Sequence, residues 1–281
     1  MDTDIAIAGD GAVSPAATPT ATPTATLVLP FATDGGLAAR AAIGLLVLAT
    51  DQTIEHEWRF LLGQPGIAVY NARLWNDKEI VPETLARMEQ DIAPTTRLIL
   101  PELPLDVVAF GCTSGSMVIG PERVRERIRE ARPGIATTTP VEAVDAALAA
   151  LGARRIGLVA PYQRRVGEAM RDYFVKAGYR VPVLAIFDEP DDTVAARIAP
   201  DSIAAAVEQA AAHPEVDAVF VSCTSLRVAE AVEALEARTG KPVTSSNHAL
   251  AWHSLRLAGV MDPLDGRGRL FRTPASTSPA A

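Results

Sequence analysis

The stretch Leu105-Asp-Val-Val-Ala-Phe-Gly-Cys-Thr-Ser-Gly-Ser116 is partly repeated as Val216-Asp-Ala-Val-Phe-Val-Ser-Cys-Thr-Ser-Leu-Arg227. Aligned without gaps, both stretches contain an Asp, a short apolar run and then Cys-Thr-Ser, and their cysteines, Cys112 and Cys223, are the only two in the chain. Ile-Gly-Leu also occurs twice, at 43–45 and 156–158, with an offset of 113 residues against 111 for the cysteines. Because a fixed internal period indicates duplication, the sequence predicts two α/β halves with one cysteine each.

Each cysteine follows an apolar run that is typical of a parallel strand buried on both faces. A polar amphipathic helix is predicted from Pro121, and the segment Leu226 to Arg238 has apolar residues at helical spacing. Each thiol is therefore expected at the carboxyl end of a strand and near a helix start, where open α/β sheets bind ligands and helix amides favour anions. The same field lowers the pKa of a thiol. These features predict a site for a small anion with one or two thiolates.

Composition excludes several classes of function. The chain has 281 residues, 48% of them hydrophobic, and a net charge of −8 without blocks of like charge, which argues against nucleic acid or a membrane surface as a partner. No run approaches the roughly 18 apolar residues of a membrane span, and the cytoplasm is the expected location. The sequence has no GxGxxG motif for a dinucleotide, no P-loop for a nucleotide phosphate and no HExxH motif for zinc. We therefore expect no cofactor and no metal.

The chain is predicted to fold as two α/β lobes between two tails. Residues 1–38, with a Thr-Pro-Ala repeat at 18–26, are expected to be a disordered or loosely attached tail. The N-terminal lobe is assigned to residues 39–152 and the C-terminal lobe to residues 153–261. Residues 262–281, rich in Gly, Arg, Pro and Ser, are assigned to a second tail.

Two further polar residues follow predicted strands. Asp51 comes directly after the strand Ala41–Leu48 and suits either a site residue or a helix N-cap. Tyr162 follows the strand Arg155–Ala160, at the equivalent place in the second half, where its hydroxyl is able to donate to a carboxylate. The acidic segment 188–193 matches no calcium-loop spacing, so we interpret it as a solvated loop with helix-capping acids.

The chain resembles the aspartate/glutamate racemase superfamily at Gly111-Cys-Thr-Ser-Gly-Ser116, at Ser222-Cys-Thr-Ser225 and at Pro242-Val-Thr-Ser-Ser-Asn-His-Ala-Leu-Ala-Trp252. It is most similar to the branch of maleate cis-trans isomerase, arylmalonate decarboxylase and the ectoine-utilisation protein A group. The resemblance implies two pseudo-symmetric Rossmann-like lobes with parallel four-stranded sheets and an active site in the cleft between them. It also implies a small carboxylate substrate and is compatible with a homo-oligomer, either a dimer or a tetramer.

Residue by residue, the resemblance implies that Cys112 and Cys223 are the catalytic thiols. Decarboxylases of the branch have glycine where Cys112 stands, so two cysteines favour an isomerase or racemase. The resemblance also implies that Thr113, Ser114, Tyr162, Thr224 and Ser225 bind the substrate. Asp51 is added to this set because it follows a predicted strand.

Two departures from the maleate isomerases bear on the substrate. Those enzymes have Asn where this chain has Asp51 and at the place of Asp191 or Asp192, so an amino-acid derivative with a positive nitrogen suits this chain better than maleate. The ectoine-utilisation group is similar at Ala49-Thr-Asp-Gln-Thr53. The sequence thus predicts a cofactor-independent isomerase, either a racemase or a cis-trans isomerase. Two alternatives stay open: a decarboxylase that uses Cys223 alone, and a non-catalytic binder of small carboxylates.

Overall fold

The computed structural model describes residues 26–273, and within that range the strands form two parallel sheets of four strands each. The first sheet has the order β2-β1-β3-β4 and the second has the order β6-β5-β7-β8, so the two halves share one topology. The predicted α/β class with two four-stranded parallel sheets is confirmed. The strands are β1 Ala41–Leu48, β2 Ile67–Leu74, β3 Val107–Gly111, β4 Ala136–Thr138, β5 Arg155–Ala160, β6 Arg180–Ile186, β7 Ala218–Val221 and β8 Val243–Ser245.

The apolar runs before the cysteines form the inner strands β3 and β7. Every residue of both strands is buried, because helices cover the two faces of each sheet and a neighbouring strand lies on either side. The outer strands are less buried: β6 is half-buried except at Arg180, and β2 has only two fully buried residues, Ala72 and Leu74. Cys112 follows β3 directly and Cys223 follows β7 after one residue, Ser222, so both thiols lie at the carboxyl edge of their sheet.

The first lobe consists of β1–β4 with helices α1–α6, and the second lobe consists of β5–β8 with helices α7–α12. The helices of the first lobe are α1 Ile54–Leu61, α2 Pro82–Arg87, α3 Glu89–Thr96, α4 Thr113–Ile119, α5 Pro121–Ala131 and α6 Pro140–Ala150. Those of the second lobe are α7 Arg164–Lys176, α8 Asp192–Ala195, α9 Pro200–Ala211, α10 Val232–Thr239, α11 Ser246–Leu257 and α12 Gly268–Arg272. No helix within residues 26–273 is long and apolar enough to cross a membrane.

The two ends of the chain differ from each other. Most of the Thr-Pro-Ala repeat lies outside the described residues, and residues 26–38 contain no helix or strand. At the other end, part of the predicted tail 262–281 is packed: α12 buries Leu270 and Phe271, and the Arg267 guanidinium donates to Phe60 O of the first lobe at 2.9 and 3.1 Å. Its Gly- and Arg-rich composition favoured a tail, since the few large apolar residues that hold it, Leu264, Leu270 and Phe271, form no extended apolar pattern.

Candidate active site

Cys112 is the N-cap of α4. Its backbone is extended, with φ −146° and ψ 117°, and its Sγ accepts a hydrogen bond from the Gly115 N–H at 3.2 Å. A Cβ at Gly115 would lie 2.5 Å from Met88 Cε and 2.9 Å from Cys112 Sγ, so a larger residue there would displace one or both of these side chains. The predicted helix start next to the first cysteine is therefore present, and it begins directly at Thr113 rather than only at Pro121.

Cys223 occupies a different local structure. Its φ is 111°, a left-handed value that is costly for a residue with a side chain. No helix begins beside it, since the next helical turn is a 3₁₀ turn at Ala229–Ala231 and α10 starts only at Val232. The expectation that each cysteine lies near the start of a helix that follows it is wrong for Cys223. The nearby helix start belongs to α11, whose Ser246 hydroxyl accepts from the Cys223 N–H at 3.0 Å.

Residues of the first lobe hold the loop that follows Cys223. The Glu57 carboxylate on α1 accepts from the N–H groups of Val228 and Ala229 at 2.5 and 2.6 Å. The hydroxyl of Thr53 donates to Ser225 O at 2.8 Å. The fold thus uses α1 of one lobe to shape the cysteine loop of the other.

The two threonines of the Cys-Thr-Ser segments each form a hydrogen bond to the other lobe. The Thr113 hydroxyl donates to Ser246 Oγ at 2.7 Å, and Ser246 in turn holds the Cys223 amide. The Thr224 hydroxyl donates to Gly111 O, just before Cys112, at 3.3 Å. Each segment therefore supports the other segment's cysteine.

One narrow pocket contains both thiols. Cys112, Thr113, Ser114, Tyr162, Cys223 and Thr224 all line it, so the structure brings six of the eight predicted site residues together. The other two, Asp51 and Ser225, are buried next to these residues but do not line the pocket. Within residues 26–273, no group of three or more His, Cys, Asp or Glu side chains is placed to hold a metal ion.

Asp192 is a pocket residue that the sequence interpretation assigned to a solvated loop. Its neighbour Asp191 does cap a helix, accepting from the Thr193 N–H at 2.8 Å, but Asp192 is only 3% exposed. Its two oxygens accept from the hydroxyls of Ser225 and Thr50 at 2.7 and 2.6 Å. The position of this acidic segment after β6, at the same sheet edge as the cysteines, was the signal that could have identified it.

The thiol pKa values run opposite to the expectation from helix amides. Burial raises the pKa of Cys112 to about 12 and outweighs the Gly115 N–H, which lowers it. Burial, followed by the negative charge of Asp192, also raises the pKa of Cys223. Both thiols are therefore protonated at neutral pH in the empty pocket, and a bound ligand must change their surroundings before one of them ionises.

Two buried carboxyl groups lie beside the site. Burial raises the pKa of Asp51 to about 6, against the N–H groups of Ile54 and Thr53, which lower it. Burial likewise raises the pKa of Glu57 to about 7, against its hydrogen bonds from Ala229, Asn247 and Val228. Glu57 was not predicted as a site residue, because a Glu within an amphipathic helix reads as part of the solvated face.

Backbone pairing between the lobes closes the pocket mouth. Glu79 and Asp191 form an antiparallel bridge, the Ile80 N–H donates to Pro190 O at 3.2 Å, and the Asp192 N–H donates to Lys78 O at 3.1 Å. Ile80 also lines the pocket. Residues of the β2–α2 and β6–α8 connections thus cover the thiols.

Comparison with known proteins places this geometry in a family. The chain is 27% identical to maleate isomerase of Nocardia farcinica over 246 residues, which is 84% of this chain and 97% of the relative. It is 32% identical to arylmalonate decarboxylase of Bordetella bronchiseptica over 146 residues, or 51% of this chain and 60% of that protein. The solved structure of a cysteine-to-serine mutant of Nocardia farcinica maleate cis-trans isomerase, with a covalently bound succinylcysteine intermediate, matches with a TM-score of 0.76 at 27% identity. That match covers 83% of this chain and 98% of the other.

The resemblance found in the Cys-Thr-Ser segments extends over the folded part of the chain. The family model described as arylmalonate decarboxylase matches residues 44–271, from β1 to α12. The fold with two parallel four-stranded sheets matches that of the solved maleate cis-trans isomerase. Maleate isomerases are among the relatives of this chain, and the chain belongs to the arylmalonate decarboxylase family.

Proposed function

We propose that the protein is a cofactor-independent isomerase that acts on a small carboxylate through Cys112 and Cys223. The observation that carries this proposal is that both thiols line the same buried pocket. Hydroxyl groups of Thr113, Ser114 and Thr224 line it too, and they are suited to hold a carboxylate and to stabilise charge that develops on it.

Two modes of isomerisation use this arrangement. In a racemase mode, one thiolate removes the proton from the carbon next to the carboxylate, and the other thiol gives a proton to the opposite face of that carbon. In a cis-trans mode, the Cys112 thiolate adds to one carbon of a carbon–carbon double bond while the Cys223 thiol gives its proton to the other carbon. The resulting single bond rotates, Cys223 takes the proton back, and the Cys112 thiolate leaves as the double bond re-forms. Both modes need one ionised and one protonated thiol, so the pair titrates jointly.

The cis-trans mode has support from a relative. The matching structure of Nocardia farcinica maleate cis-trans isomerase contains a covalently bound succinylcysteine intermediate. In such an intermediate, a cysteine is covalently attached to a four-carbon dicarboxylate. The role in ectoine breakdown rests on the sequence resemblance, and it makes 2,4-diaminobutyrate and its acetyl derivatives the first substrates to try.

Deuterium incorporation in D₂O, followed by NMR, tests the proposal on the full chain and on its Cys112→Ala and Cys223→Ala variants. The compounds are aspartate, glutamate, 2,4-diaminobutyrate with its acetyl forms, and maleate. Exchange next to a carboxylate that needs both cysteines establishes a racemase, and conversion of maleate to fumarate establishes the cis-trans mode. Full turnover by the Cys112→Ala variant contradicts the two-thiol mechanism.

A decarboxylase is the second candidate, since the matching family model and one relative carry that name. In that reaction Cys223 alone protonates the enediolate left after carbon dioxide departs. A Cys112→Gly variant that decarboxylates phenylmalonate as fast as the wild type favours this candidate over the isomerase.

A further inference from the structure

The side chains that line the pocket are unbalanced in charge. Its acidic residues are Asp192, which is buried, and Asp77 and Glu79, which are exposed at the rim. The other titratable groups in its wall are the two thiols and the Tyr162 hydroxyl. None of the lining residues within the described part of the chain is Lys, Arg or His. A dicarboxylate dianion would therefore meet acids without a cationic side chain to offset them.

Asp192 is fixed in place and retains capacity to accept further hydrogen bonds. The Thr50 hydroxyl donates to Oδ2 at 2.6 Å, and the Asn76 amide holds that hydroxyl at 2.8 Å. The Ser225 hydroxyl donates to Oδ1 at 2.7 Å. Since each carboxylate oxygen accepts about two hydrogen bonds, this group is able to receive two more donors from a ligand in the pocket.

A second buried carboxylate lies close to Asp192. Asp51 is 3% exposed, and its Oδ1 accepts from the N–H groups of Thr53 and Ile54 at 2.7 and 2.8 Å. Its Oδ2 is buried without a hydrogen bond of normal geometry from any described residue, although the Thr224 hydroxyl is near enough to lower the pKa of Asp51. Asp51 and Asp192 repel each other, and a cation in the pocket beside Asp192 would reduce the cost of that repulsion.

Asp192 acts on both thiols, and Asp51 acts on Cys112. Ser225 connects Asp192 to Cys223 directly, since its N–H donates to Cys223 Sγ at 3.4 Å while its hydroxyl donates to Asp192. The charge of Asp192 raises the pKa of Cys112 and of Cys223, and Asp51 adds to this for Cys112. A second anion in the pocket would raise both values further, whereas a cation would lower them.

We propose that Asp192, supported by Asp51, is a subsite for an ammonium group, so the substrate is a small carboxylate that carries a positively charged nitrogen. This inference rests on the proposed isomerase function and names its substrate class. The ammonium group offsets the two acids and so favours release of one thiol proton to the solvent. The resulting thiolate then accepts the substrate's proton or adds to its double bond. The substrate thereby supplies the positive charge that the pocket's side chains lack.

Matched ligands test the subsite on the full-length protein. Aspartate and succinate differ by one ammonium group, and 2,4-diaminobutyrate and maleate extend the pair. Binding is measured by calorimetry, and the ultraviolet absorbance of the thiolate is recorded at the same time. We expect aspartate or 2,4-diaminobutyrate to bind about 10- to 100-fold more tightly than the ligand without nitrogen, and to raise the thiolate absorbance.

The variant Asp192→Asn removes the charge and keeps an acceptor for one hydroxyl. We expect it to lose the preference for the ammonium ligand, and to form thiolate at lower pH than the wild type in the empty pocket. Asp51→Asn is a second variant, because Asn retains the oxygen that accepts from Thr53 and Ile54. The matched control is Asp188→Asn on the same connection, since Asp188 is exposed and Asn suits its φ of 58°. The control should bind like the wild type.

The outcomes separate the two proposals. If the protein isomerises maleate with both cysteines and binds no ammonium compound, the isomerase stands and the subsite is overturned. Equal preference in the wild type and in Asp192→Asn also overturns the subsite. If ammonium carboxylates bind in an Asp192-dependent manner and none is isomerised, the subsite stands and the isomerase proposal falls.

Discussion

The two Cys-Thr-Ser segments have the same residues and similar strands behind them, yet their cysteines are held in different ways. Cys112 has an ordinary extended backbone and caps the helix that follows it. Cys223 has a left-handed φ of 111° and is followed by a loop that α1 of the other lobe holds through Glu57 and Thr53. Duplication therefore preserved where each thiol lies, while the local support of each thiol diverged.

The second segment therefore depends on the contacts between the two lobes. Cys112 keeps its cap within a single helical turn, from Thr113 to Gly115. The Cys223 amide, in contrast, needs Ser246, and Ser246 receives the hydroxyl of Thr113 from the first lobe. We expect changes at the lobe contact to affect Cys223 more than Cys112.

The largest expected effect comes from Cys112→Ser and Cys223→Ser, which test whether the thiols are chemically equivalent. Each change should reduce isomerisation by about a thousandfold or more, because a hydroxyl ionises far less readily than a thiol. The double variant should be little worse than either single variant, since the two groups act as a unit. In the racemase mode, the single variants should retain slow deuterium exchange from opposite enantiomers, which chiral chromatography of the exchanged product measures. Loss of activity in only one variant would show that the thiols are unequal in chemistry as well as in support.

The Glu57→Gln variant tests the support of the Cys223 loop. Because the pKa of Glu57 is raised from 4.5 to about 7, the folded protein keeps this proton over that range while the unfolded chain releases it. The group's contribution to stability is thus fully present below pH 4.5 and is lost as the pH rises to about 7, a change of about 3 kcal/mol. Gln has no such dependence, so the unfolding free energy of the wild type minus that of the variant should fall by about this amount.

Urea unfolding at intervals across this pH range measures that difference, in which groups that titrate in both proteins cancel. The matched control is Glu55→Gln on the same helix, where Glu55 is only half-buried and paired with Arg73. A pH-independent difference for Glu57→Gln would contradict the assigned role of this carboxyl.

The variants Thr113→Val and Thr224→Val compare the two crossed hydrogen bonds. Each removes one hydroxyl with little change of shape and should cost about 1 kcal/mol. We expect Thr113→Val to cost more, since its bond to Ser246 is 2.7 Å long against 3.3 Å for the bond from Thr224 to Gly111. Thermal unfolding of both variants measures the order, and the reverse order would show that Thr224 is the stronger connection.

The smallest expected effect concerns the stability of Ala and Gly variants, whose order should be opposite at the two cysteine positions. At Cys223 the left-handed φ favours glycine, so Cys223→Gly should be about 1 kcal/mol more stable than Cys223→Ala. At Cys112 the extended backbone gives glycine no advantage, and Cys112→Gly should be about 0.5–1 kcal/mol less stable than Cys112→Ala. Comparison of Ala with Gly at one position cancels most of the effect of the lost thiol. The same order at both positions would contradict the strain assigned to Cys223.

The sequence predicted the sheets better than the surroundings of the site. β1 was placed at Ala41–Leu48 and observed there, since a long apolar run reports burial directly. The apolar spacing of Leu85, Met88 and Ile92 suits one continuous helix, whereas the structure has two, α2 and α3, that meet at Met88. Met88 also lies against Gly115 of α4, a contact between distant segments that no local period reveals. The raised thiol pKa values escaped prediction for a related reason: they arise from burial in the folded chain and from the charge of Asp192, which is remote from both cysteines in sequence.

The closure over the pocket consists of main-chain hydrogen bonds between residues 78–80 and 190–192. The side chains of Lys78 and Glu79 are therefore able to vary without loss of these main-chain hydrogen bonds. Substitutions there change the charge at the pocket rim while the backbone pairing stays in place. Proline is the exception at Ile80, because it has no N–H to donate to Pro190 O. A survey of tolerated substitutions should consequently find nearly every amino acid at position 79 and exclude proline at position 80, a pattern set by the backbone alone.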